Sequence, residues 1–223
     1  LDSAGAITDG DGLNNVDAVS LAATALNGIE LDTEVGTLSA INSGTGAVDI
    51  SNGGGALTTV TTATTNNGTV TLANTGGALT VTTATAQGAD NDLTITNSGG
   101  ALTVGTATTT DGSVLLSNTG GNLSVTTVMA GGTGNDVLLR TITSGNVAVT
   151  GTVTAADDDI VVNAAGNITG AGTLDGTGIG LSGGTISLLA MPNVRTLAIN
   201  QSAAGSITRT LTGNVTIGRV TAN

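Results

Sequence analysis

The hydrophobic positions of this chain fall in short alternating runs. Leu79 and Val81 alternate with Thr80 and Thr82, and Thr83-Ala84-Thr85 alternates again. After the turn-rich stretch Gln87-Gly88-Ala89-Asp90-Asn91, Leu93 and Ile95 alternate with Thr94 and Thr96. Period-2 runs bounded by Gly, Asn and Asp predict β-strands, here three short ones in succession. The unit then recurs. Gly54-Gly55-Ala56-Leu57, Gly76-Gly77-Ala78-Leu79 and Gly99-Gly100-Ala101-Leu102 open three copies, and Gly120-Gly121-Asn122-Leu123 opens a looser fourth, at steps of 22, 23 and 21 residues. A fixed step of this size marks stacked repeats. Three strands in 21–24 residues make one coil of a parallel β-helix, an all-β solenoid, right-handed by the usual crossover preference. Each strand then pairs with its equivalent in the next coil, about 4.8 Å along the axis.

The alternation predicts which side chains point inward. The first strand offers Leu79/Val81, Leu102/Val104, Leu123/Val125 and Val147/Val149; the third offers Leu93/Ile95, Val114/Leu116, Val137/Leu139 and Ile160/Val162. The middle strand is lined by Ala84, Ala107 and Val153, which implies a pinched cross-section. Asn52, Asn74, Asn97 and Asn118 stand in front of the Gly pairs and Asn163 recurs later, which predicts an internal asparagine ladder with a structural purpose. Three stretches of one solenoid are expected: irregular coils over 1–53, regular repeats over 54–165 and degenerate coils over 166–223. In the first, Val16 to Leu31 fits neither helix nor strand period cleanly and is read as strand because its neighbours are strands. In the last, Asn167-Ile168, Thr185-Ile186 and Ser206-Ile207 occupy the slot of the earlier Ala-Leu pairs. Pro192 belongs at a corner or edge, because it cannot donate to a ladder. About ten coils give a rod on the order of 50 Å long.

Composition narrows this further. The 223 residues include no Phe, Trp, Tyr, Cys or His, yet 39% are hydrophobic. Without aromatic side chains to fill irregular gaps, Ala, Val, Leu and Ile must pack in narrow regular layers, as a solenoid does. The net charge is −12, with eight acids and no base in residues 1–50 and all four arginines (140, 195, 209 and 219) in the last 84. A polyanion attracts neither nucleic acid nor an anionic membrane surface. No apolar run is long enough to span a bilayer. The chain begins at Leu1 rather than Met, as expected of an interior or processed piece of a longer protein.

Candidate chemistry is sparse. With no His, Cys, Lys or Tyr, the acid–base groups are carboxylates, which argues against an enzyme. Asp157-Asp158-Asp159 resembles a setting used by β-helix carbohydrate-active enzymes that act on acidic sugars, the least favoured alternative because their patterns also need His or Lys; it reads instead as a solvated acidic turn before the strand Ile160 to Val162. Gly131-Gly132-Thr133-Gly134-Asn135-Asp136-Val137-Leu138-Leu139 matches one nonapeptide of a calcium roll, making Asp136 a weak calcium candidate. Such rolls draw six to eight oxygens from tandem copies, and here there is one. Asp9, Asp11, Asp90, Asp92 and Asp111 are looser acids of the same kind. Otherwise no cofactor is expected.

Two surface patterns remain. Thr62, Thr64, Thr83, Thr85, Thr106 and Thr108 of the middle strands would stack into two rows of outward hydroxyls, a candidate ice- or glycan-binding face. Thr is also the ordinary outward residue of a strand. On the third strand the outward column runs Thr71, Thr94, Leu115, Leu138, Val161. Leu115, Leu138 and Val161 break the threonine rule and form a candidate lateral contact, with another rod or with adjoining parts of a larger chain.

The repeat Gly-Gly-Ala/Asn-Leu-Thr/Ser-Val, then Thr-x-Thr, then Asp-x-Leu/Val-x-Leu/Ile-x-Asn resembles the repeat region of filamentous-haemagglutinin-type exoproteins. Ser144 to Ala155 and Ala164-Ala165-Gly166-Asn167-Ile168 are similar to the same style, and the resemblance covers the chain from about residue 36. It implies a secreted β-helix of the Gram-negative cell surface, the shaft of an extracellular fibre or adhesin. Its implied partners are further copies of itself and a host or neighbour-cell surface.

Overall fold

In the computed structural model the described residues are 1–10, 13, 16–53, 58–187, 190–203 and 214–222. They form seventeen strands, all in one continuous, entirely parallel set of ladders. The chain is a right-handed parallel β-solenoid. One column states the architecture. Ile7, Ile29, Val48, Val70, Leu93, Val114, Val137, Ile160, Ile179, Leu197 and Ile217 stand in unbroken register from coil to coil. Ten steps of about 4.8 Å make a rod about 50 Å long.

The core is the sum of such columns. Leu79, Leu102, Leu123, Val147 and Ile168 stack on the first strand, and all are buried. Leu72, Ile95, Leu116, Leu139, Val162 and Leu181 stack beside the principal column. On the middle strand Ala63, Ala84, Ala107, Val128, Val153 and Leu174 follow one another, so the pinch predicted at the alanines relaxes toward the C-terminus. Along the strands the backbone N–H and C=O groups point along the axis, where the next coil supplies the partner, and side chains complete the pairing at the turns.

Two details differ from the sequence pattern. The first and middle strands run on as one: Leu79–Ala86, Leu102–Thr109 and Leu123–Ala130 are single strands that bend at the corner. These three strands pass the corner in register with one another; a shift enters at the next coil, where Val125 and Thr127 meet Val149 and Thr152 and Thr150-Gly151 hold the extra residue of a bulge. Second, Thr58, not an apolar residue, stands in line with Leu79. The opening Gly54-Gly55-Ala56-Leu57 lies outside the described residues, as do Asp11 and the Ser206-Ile207 slot. The strand reading of Val16 to Leu31 holds: Val16–Ala25 and Ile29–Thr45 are both strands, paired in parallel from Val16↔Thr33 to Ala25↔Asn42. The ambiguous periodicity there comes from residues that pass through a corner within one long strand. Pro192 sits in a turn.

Candidate functional surfaces

Asn52, Asn74, Asn97 and Asn118 form a hydrogen-bonded row inside the coil. Asn52 Nδ2 donates to Asn74 Oδ1 at 3.0 Å, Asn74 Nδ2 to Asn97 Oδ1 at 2.7 Å, and Asn97 Nδ2 to Asn118 Oδ1 at 3.0 Å. All four are buried. The same amides also close the turn after the strand: Asn97 Nδ2 reaches Gly100 O at 3.1 Å and Asn118 Nδ2 reaches Asn122 O at 3.0 Å. At the first rung, Thr33 Oγ1 donates to Asn52 Oδ1 and Asn52 Nδ2 donates to Thr58 Oγ1. Thr58 is thus a polar extension of the ladder, which explains its place in an apolar column. At the last rung Thr141 replaces asparagine opposite Asn118.

Asn163 does not belong to this row. It is exposed and its register partners are Arg140 and Ser182. Each ladder asparagine lies four positions after the first inward residue of its strand (Val48, Val70, Leu93, Val114), whereas Asn163 lies three after Ile160. With a side-chain period of two, one position reverses the face.

Two further columns escaped the sequence reading. Asp92 Oδ1 accepts the N–H of Ser113, Ser113 Oγ that of Asp136, and Asp136 Oδ1 that of Asp159. Asn122, Asn146 and Asn167 do the same with Oδ1, accepting the N–H of Asn146, Asn167 and Thr185. Each stands immediately before the first inward residue of its strand, so a short oxygen-bearing side chain at every strand entry was the available signal.

The calcium candidate Asp136 lies within this network. Its carboxylate receives the Asp159 N–H, and Asp158 Oδ2 receives the N–H groups of Gly134 and Asn135. Asn135 Nδ2 donates to Asp111 Oδ1 and Gly131 O. The Gly-rich turn is closed by protein groups, and Asp157, at φ 63°, marks the corner that delivers Asp158 to it. No group of three His, Cys, Asp or Glu side chains among the described residues is placed to hold a metal. The acids of the N-terminal coils do gather: Asp9, Glu30, Asp32 and Asp49 line a surface depression of about 220 Å³. Packing around the Asp49 carboxyl, and then the charge of Asp32, hold Asp49 above the usual carboxylate range.

The threonine rows are in register. Thr64 pairs Thr85, Thr85 pairs Thr108 and Thr83 pairs Thr106, while Thr62 pairs Ser39. The hydroxyls of Thr85 and Thr108 bond each other at 3.3 Å. The row through Thr108 meets Met129 on one side, and the row through Thr64 meets Ile41 on the other. Both apolar residues are exposed. On the third strand Leu115, Leu138 and Val161 stack directly, half-buried, and the column continues through Gly180 and Ala198. No helix of the described residues is long and apolar enough to cross a membrane. Comparison with protein-family models, with curated proteins and with solved structures found no match.

Proposed function

We propose that this chain is the shaft of an extracellular bacterial fibre or adhesin of the filamentous-haemagglutinin type, a non-catalytic spacer that self-associates. The observation that carries this reading is the unbroken column in register from Ile7 to Ile217. Ten equivalent steps of backbone pairing resist bending and shear along a rod while leaving its outside free to vary. The interior is filled by short aliphatics and closed by asparagines, and its bore leaves no room for a substrate. The repeat grammar supports the surface location. The threonine face is the second reading, and the bounding of one of its two rows by Ile41 and Met129 counts against an extended flat lattice of hydroxyls. Immunogold labelling of the producing cells with antibody to this chain tests the shaft. Label along extracellular filaments is expected; label confined to the cell interior would overturn it.

A further inference from the structure

We propose that the corner carrying Asp157, Asp175 and Arg195 is a binding site for a basic amino acid, a small molecule with one carboxylate and two cationic groups. The inference goes beyond the shaft reading and does not depend on it.

A bulge builds the site. Thr154 pairs Asp175 and Ala155 pairs Gly176, but the next pair in register is Asp159 with Gly178. Ala156, Asp157 and Asp158 therefore stand opposite Thr177 alone, and the extra residues push the chain outward at this corner. Asp157 takes the left-handed backbone of the bulge, at φ 63°. One coil on, the chain leaves the turn at Pro192 and the Arg195 N–H donates to Thr177 O at 2.7 Å. Thr154, Asp157, Asp175, Thr177, Asn193 and Arg195 line a depression of about 330 Å³ at this place.

The charges around it are held apart. Arg140 bonds Ser117 and Arg219 bonds Thr221, but the guanidinium of exposed Arg195 makes no hydrogen bond or ion pair among the described residues. Two carboxylates share the depression with it and neither pairs with it. Asn193 Nδ2 donates to Asp175 Oδ1 at 2.6 Å, which steadies that carboxylate and leaves its second oxygen for a ligand. Asp158 turns to the coil before, onto the N–H groups of Gly134 and Asn135. It and Asp159 adjoin the depression without lining it, and add to its negative field.

This arrangement selects the ligand. A carboxylate fits Arg195, whose forked donors can take both oxygens. The two cationic groups of lysine or arginine fit Asp157 and Asp175. A sugar acid or a phosphate brings only negative charge to two carboxylates, in a chain of net charge −12. A neutral sugar leaves all three charges unanswered and finds no aromatic platform. The volume lies at the small end for ligand pockets and suits a single amino acid. Exposed charge pairs are individually weak, so a Kd on the order of millimolar is expected.

Titration of the isotope-labelled chain with L-lysine, followed by NMR, should give saturable shifts at the amides of Gly176, Thr177, Asn193 and Arg195. Cadaverine, which lacks the carboxylate, and ε-aminocaproate, which lacks the α-ammonium, should each bind roughly tenfold more weakly. R195Q should weaken lysine roughly tenfold or more and leave cadaverine no weaker. D175N keeps the oxygen that Asn193 bonds, and D157N keeps a residue at home in left-handed backbone. Each should weaken lysine and cadaverine alike. Circular dichroism verifies the fold of each variant, and the ligand series on the unaltered chain decides the question if a variant fails to fold. Absence of saturable shifts up to about 100 mM lysine, glucuronate binding as tightly as lysine, or R195Q weakening cadaverine as much as lysine overturns the proposal.

Discussion

Replacing Asn97 with alanine removes the middle of the buried amide row. Asn97 accepts one bond from Asn74 Nδ2 and donates to Asn118 Oδ1 and Gly100 O. After truncation Asn118 Oδ1 loses that donor, and Asn74 Nδ2 keeps Gly77 O at a long 3.3 Å. Gly100 O retains Asn118 Nδ2 at 2.9 Å, so it is not orphaned. Two buried polar groups left short, at about 1–3 kcal/mol each, predict a loss of roughly 2–6 kcal/mol, with the vacated space adding to it. N163A is the control. It makes the same chemical change on an exposed residue of the same solenoid, and should fall within about 0.5 kcal/mol of wild type.

Equilibrium denaturation followed by circular dichroism compares the two through the midpoint and its slope. Stacked repeats interact mainly with neighbours, so the slope matters: N97A should lower it as well, because weakening a central coil lets the two ends of the rod unfold apart. If N97A and N163A shift the midpoint equally, the row is not a structural element and the physical reading of the interior is wrong.

Two other substitutions probe the bore and the acidic end. A84L inserts a large side chain between Ala63 and Ala107, both buried, and should destabilise by about 1–3 kcal/mol in thermal melts; V128L, where the bore widens, should cost less than about 1.5 kcal/mol, and the reverse order would contradict the taper. Asp49 has its pKa raised by packing around it and by Asp32, so its ionised form is the one the fold disfavours. The associated stability is present in full at pH below the ordinary carboxylate value and is lost as pH rises through the raised one. D49N should therefore raise Tm at pH 7, give no gain at pH 3, and lose part of its gain in high salt; a gain of equal size at both pH values would refute the electrostatic cause.

The axial repeat was legible because the solenoid imposes the same demand at every coil. Leu79, Leu102 and Leu123 announce one column through spacing alone, and their register is as spaced. What spacing hid was phase. The asparagine column looked five members long when measured from the Gly pairs. Measured from the first inward residue of each strand, Asn163 falls on the opposite face. The fused first and middle strands were hidden for a related reason. A bulge inserts one residue without any Gly or Pro to announce it, as at Thr61, which stands opposite the step from Leu38 to Ser39. Thr58 was obscured because a buried hydroxyl is justified by Asn52, a partner on another strand that no local pattern reveals.

The absence of aromatics and the placement of interaction surfaces have one cause. A bore lined by Ala63, Ala84 and Ala107 has no space for a ring, and equally none for a bound molecule. Recognition is left to the outside, where any residue stands in a column of equivalents about 4.8 Å apart. A contact on such a surface is multiplied by the number of coils that repeat it, and it ends where the column changes character. The Leu115–Leu138–Val161 column is bounded in this way, by Thr94 on one side and Gly180 on the other.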